Sequence, residues 1–129
     1  MARIEVRGKE KKVLFNVGYN GEYFEISQDN NVEKYHKTLV NYVEEVLKEK
    51  INEEVVEIVR YQSEHIKEAL VVSDFNGKKD IKITKNNTFF AEYVFDGDRT
   101  IGTKEVAVTT FSEHLLYWFE TILTNLYIL

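Results

Sequence analysis

The chain has 129 residues, 43% of them hydrophobic and 30% charged, with a formal net charge of −5 and no cysteine. That length fits one domain, 1–129, large enough to bury a single core, and the balance of apolar and charged residues argues against disorder. The lack of cysteine excludes disulfides, thiolate metal sites and cysteine nucleophiles, while the acidic balance disfavours a dedicated nucleic-acid binder, whose affinity rests on neutralising phosphates.

Met1 to Lys12 is charged where a signal peptide is apolar, so the expectation is a cytoplasmic protein without a membrane segment. Arg3, Arg7, Lys9, Lys11 and Lys12 outnumber Glu5 and Glu10 there. This basic arm reads as a soluble edge strand over residues 3–7, with an anionic partner as the alternative. Val13, Phe15, Val17 and Tyr19 then alternate with Leu14, Asn16 and Gly18, and Tyr23–Ser27 returns after Asn20-Gly21. The pattern predicts a β-hairpin, because Asn and Gly reach the positive φ that a tight reversal needs. Gln28–Asn31 is a polar break, with Asn30 or Asn31 placed to cap a helix.

From Val32 the apolar spacing turns helical through Tyr35, Leu39, Val43, Val46 and Leu47, and the same face could continue through Ile51, Val55, Ile58, Gln62, Ile66 and Ala69. A helical insertion over about 32–69 is therefore expected. It must be broken, since an unbroken rod of that length, roughly 58 Å, exceeds the diameter of such a domain. Asn52 or Ser63 could start a second helix, and the second choice would free Val55–Tyr61, dense in β-branched residues, to be a strand. A meander follows. Leu70–Phe75, Ile81–Thr84, Thr88–Phe95 and Thr100–Thr110 are separated by Asn76-Gly77, Asn86-Asn87 and Asp96–Arg99, and Gly102 marks a possible bulge. Ser112 reads as the cap of a last helix carrying Leu115, Trp118, Phe119, Ile122, Leu123, Leu126 and Leu129 at helical spacing. Glu113, His114, Glu120 and Asn125 interrupt it too often for a membrane span. The fold class is thus α+β: an antiparallel sheet built from hairpins, an inserted helical segment and an apolar C-terminal helix packed on the sheet, able also to form a homodimer interface.

Few residues suggest chemistry. His65 and His114 recur in similar strings, Ser63-Glu64-His65-Ile66 and Ser112-Glu113-His114-Leu115, in which Ser and Glu also serve as ordinary helix-start residues. No His-x-x-x-His spacing offers two imidazoles to one ion, and Asp96-Gly97-Asp98 lacks the other ligands of a calcium loop, so no metal and no cofactor are expected. Phe89, Phe90 and Tyr93, with Lys82 and Lys85 nearby, fit core packing better than base stacking. Arg60 and Arg99 stand near aromatic or turn residues and can bind carboxylate or phosphate. The expectation is a small non-catalytic binding module acting on a protein partner, of the inhibitor or immunity type. A protein encoded by a mobile element fits the same size and charge. The alternative is a small-molecule binding or sequestering protein, or a small enzyme, with a site at a subunit interface built from Arg60, His65, Arg99 and His114.

Overall fold

A computed structural model of the chain describes residues 2–96, 99–101 and 110–128, the side chains of Phe75 and of residues 99–101 excepted. Among these described residues, nine strands and two α-helices follow in the order β1 (Ala2–Arg7), β2 (Val13–Tyr19), β3 (Tyr23–Gln28), β4 (Asn31–His36), α1 (Val40–Lys48), β5 (Glu57–Gln62), β6 (His65–Phe75), β7 (Lys78–Lys85), β8 (Thr88–Asp96), β9 (Arg99–Ile101) and α2 (Phe111–Ile128). The strands form one sheet in the order β4-β3-β2-β1-β5-β6-β7-β8-β9, every neighbouring pair antiparallel. Two meanders therefore meet where β1 pairs with β5, and α1 carries the chain from one edge back to the centre.

The reversals follow turn chemistry. Asn76 and Gly77 have φ of 50° and 78°, and Asn86 and Asn87 have 51° and 63°, the doubly positive geometry of a two-residue hairpin turn. At the first hairpin Gly21 has φ 93°, and Asn20 Oδ1 accepts the backbone N–H groups of Glu22 and Tyr23 at 2.9 and 2.8 Å.

Several expectations change. The helical reading over 32–69 holds only for Val40–Lys48, where Val43 and Leu47 are buried on one stripe. Asp29, at φ 54°, and Asn30 make a hairpin turn instead of a helix cap, which sends Asn31–His36 back along β3. Asn52 caps a short turn, its side-chain oxygen accepting from the N–H of Glu54, and Ser63 at φ 57° turns β5 into β6. The β-branched run at 55–61 becomes a central strand with Ile58 and Val59 both buried, as a strand flanked on each side requires. Residues 3–7 likewise lie mid-sheet, paired on both sides, and are not an edge. Thr110, not Ser112, caps α2, in a reciprocal box with Glu113: Glu113 N–H donates to Thr110 Oγ1 at 3.2 Å and Thr110 N–H to Glu113 Oε2 at 3.4 Å. Gly97, Gly102 and most of the expected last strand lie outside the described residues.

Both helices cover the same face. Leu115, Phe119, Ile122, Leu123 and Leu126 of α2 are buried with Ile4, Val6, Phe15, Val17, Ile58, Leu70, Ile81 and Ile83 of the sheet and with Val43 and Leu47 of α1. Phe119 meets Phe15 edge-on at 6.4 Å between centroids. Burying each such side chain contributes about 1.5–3 kcal/mol, so α2 anchors the core as its composition predicts.

Candidate functional site

Of the four residues singled out in the sequence, the three whose side chains are described go to separate places. Arg60 faces the helices from β5, two residues after buried Ile58, and is only 5% exposed. Its Nη2 donates to Glu68 Oε1 at 3.1 Å, the residue directly opposite on β6. Asn125 of α2 donates to the same oxygen at 2.8 Å, tying the helix to the sheet. His114 lies against the rings of Tyr93 (4.3 Å), Phe95 and Trp118, and burial pushes its imidazole below the usual value. His114 and Asn125 are eleven residues apart on one helix, about 16 Å along its axis. His65 is exposed beside the β5–β6 turn, and the Arg99 side chain lies outside the described residues. The repeated Ser-Glu-His string thus serves a hairpin in one place and a helix start in the other.

What lies beside Arg60 was missed. Lys85 of β7 is the register partner of Glu68, so Arg60, Glu68 and Lys85 form a row across three strands. The Lys85 ammonium stands 4.1 Å from the ring centre of Phe90 and 6.0 Å from that of Trp118, and Phe90 meets Trp118 edge-on at 6.0 Å. Among the described residues, Nε and Nη1 of Arg60 and Nε1 of Trp118 are buried without a hydrogen-bond partner. The signal was available: Arg60 and Glu68 occupy the apolar phase of two alternating strands, beside Ile58 and Leu70. A helical reading of the segment hid that phase.

The helix-free face is different in kind. Arg7 donates from Nε to Glu5 at 2.7 Å, from Nη1 to Glu57 at 3.3 Å and from Nη2 to the Tyr61 hydroxyl at 3.2 Å. The Glu5 hydrogen bond, ahead of the neighbouring charges, raises the guanidinium's pKa further. Arg3 lies over the Tyr61 ring at 4.4 Å. The two arginines of the basic arm are thus engaged by their own sheet.

Charge gathers on the helix side. Residues 40–56 and 110–128 hold seven glutamates and two lysines, a balance of −5, while the rest of the chain holds 15 residues of each sign. Lys48 is held by Glu120 at 3.0 Å and Glu45 at 3.9 Å, and Lys50 by Gln28. Glu45, Glu49, Glu53, Glu54 and Glu113 are exposed, as are the helix residues Tyr42 and Tyr117, 56% and 60% exposed. A cleft of about 90 Å³ between α1 and α2 is lined by Glu44, Lys48, Glu120, Leu123 and Thr124, and the Tyr127 hydroxyl bonds Glu44. A larger hollow, about 260 Å³, lies between Glu53, Lys79, Phe95 and the start of α2.

Among the described residues no cluster of three or more His, Asp or Glu side chains could hold a metal ion, and no helix is long and apolar enough to cross a membrane. No protein-family model, no curated protein and no solved structure matches the chain.

Proposed function

We propose that the chain is a non-catalytic binding module whose helix-bearing face docks on a basic surface of a protein partner, in the manner of an inhibitor or immunity-type protein. One observation carries this reading: the chain's whole net charge of −5 falls within the residues of α1, α2 and the turn after α1, leaving the other residues balanced. A field of one sign on one face steers association and selects the orientation of encounter. The exposed rings of Tyr42 and Tyr117 supply the apolar anchors that such interfaces use. A homodimer through α2 has less support, because a second copy brings the same sign of charge to Glu113 and Glu120.

Two variants with equal change in net charge test the proposal. One neutralises the helix side (Glu45→Gln, Glu49→Gln, Glu113→Gln) and the other the helix-free face and its margins (Glu25→Gln, Glu64→Gln, Glu92→Gln). A partner recovered by copurification should lose salt-sensitive affinity for the first variant and keep it for the second. Equal loss in both would reduce the effect to overall charge and overturn the reading.

A further inference from the structure

We propose that the row beneath α2 is a binding site for a small organic anion, an aromatic ring bearing a carboxylate or a phosphate, held by Arg60 and Lys85 with its ring against Phe90 and Trp118. The proposal is independent of the helix-side docking face, because Lys85 and Phe90 take no part in it.

Hydrogen-bonding capacity comes first. Arg60 presents five N–H bonds, and among the described residues only Nη2 has an acceptor. That acceptor, Glu68 Oε1, already serves Asn125 as well. Lys85 has no carboxylate within 4.0 Å among the described residues, its ammonium lying over two rings instead. Glu68 is thus the single acid against two cations in the row. Buried donors are nearly always matched in folded proteins, and a charged donor left unmatched costs more than a neutral one. A water molecule could accept from one of these N–H groups, but it brings no charge to balance the second cation. An anion does both.

The backbone is shaped at the same place. The β5–β6 register shifts immediately after the Arg60–Glu68 pair. The β7–β8 register shifts between Ile83 and Thr84, whose partners are Ala91 and Phe89, which leaves Phe90 as the extra residue. Such bulges re-aim side chains and recur beside binding sites. Here the bulge sets Phe90 against Trp118 and Lys85 while leaving it 48% exposed. Trp118 Nε1 adds a neutral donor, suited to a polar substituent on the ring.

The dimensions select the ligand class. Arg60 and Lys85 lie two strands apart, about 10 Å between backbones, with the Glu68 carboxylate between them. A bare phosphate cannot reach from Arg60 to the Phe90 ring, whereas an aryl acid can. Its head group would sit on Arg60 Nε and Nη1, the nitrogens that Glu68 does not use.

Trp118 is the only tryptophan, so its emission reports on the site directly. The full chain is titrated with benzoate, phenyl phosphate and, as a neutral isostere, benzamide. Saturable change is expected for an acid, with affinity for benzamide weaker by about tenfold or more, the range of a hydrogen bond to a charged group. A response to one acid alone assigns the head group. Lys85→Ala and Phe90→Ala, both at partly exposed positions, should each weaken that binding at least severalfold while melting near the parent temperature. No saturable response to either acid at millimolar concentration, equal affinity for benzamide, or unchanged affinity in both variants would overturn the proposal. Saturation by inorganic phosphate as tight as by phenyl phosphate would also overturn it, because the rings would then contribute nothing.

Discussion

Arg7 and Arg60 sit on adjacent strands and face opposite sides of one sheet, and they are treated very differently. Arg7, on the helix-free face, has each of its three nitrogens matched: by Glu5, by Glu57 and by Tyr61. Arg60, under the helices, has one of three matched among the described residues, although its side chain is 6% exposed against 22% for Arg7. Surface arginines can leave N–H groups to water without loss, yet here the more exposed one is saturated and the buried one is not. Saturation marks a structural element that holds β1 to β5. The deficit, seen among the described residues, is the position at which the proposed anion would bind.

The gap between the two opens furthest in Glu68→Ala. It strands the Arg60 guanidinium without its carboxylate, and removing one member of a buried ion pair costs about 3–5 kcal/mol. Urea denaturation should show that loss, and a cost under about 1 kcal/mol would mean that Arg60 is solvated in place. The double variant Arg60→Met with Glu68→Leu sharpens the point. Replacing both charges by apolar groups of similar volume is often neutral or stabilising by about 1–4 kcal/mol, so it should recover most of the single-variant loss. Arg7→Gln, by contrast, should cost about 1 kcal/mol or less and lose even that at high salt. A larger, salt-insensitive cost would place Arg7 in the same class as Arg60.

The smallest effect concerns pH. Burial holds the His114 imidazole below its ordinary pKa of 6.5, so the unfolded chain takes up its proton first. This contribution to stability is fully present above pH 6.5 and is lost as pH falls below that value toward the folded pKa. His114→Phe should flatten the stability profile on the acid side of pH 6.5, measured by denaturation at several pH values. An unchanged slope would assign the acid sensitivity to other groups.

Much of the fold was legible because its signals are local. Asn76-Gly77 and Asn86-Asn87 specify their reversals through backbone preferences that no distant contact has to supply, and the apolar arc from Leu115 to Leu126 can only be an anchored helix. Asp29-Asn30 and Ser63-Glu64 were ambiguous for a physical reason. The same short polar side chains cap helices and make turns, and the choice depends on whether a strand is available to pair. Val55–Tyr61 illustrates this, since its β-branched residues become a strand only because Ala2–Arg7, some fifty residues earlier, lies alongside. The cluster around Arg60 was half legible. Arg60 attracts attention by chemistry alone, but Asn125 reaches Glu68 across 57 residues, and Phe90 reaches Trp118 only because of a bulge.

The contrast between the two guanidiniums can be observed without any variant, by following the side-chain Nε–H resonances of Arg7 and Arg60 in ¹⁵N-labelled protein during titration with phenyl phosphate and benzoate. The Arg60 signal should move in a saturable way with one of these acids while the Arg7 signal stays fixed. Movement of both together, or of neither, would contradict the claim that Arg60, unlike Arg7, holds unmet capacity for an anion.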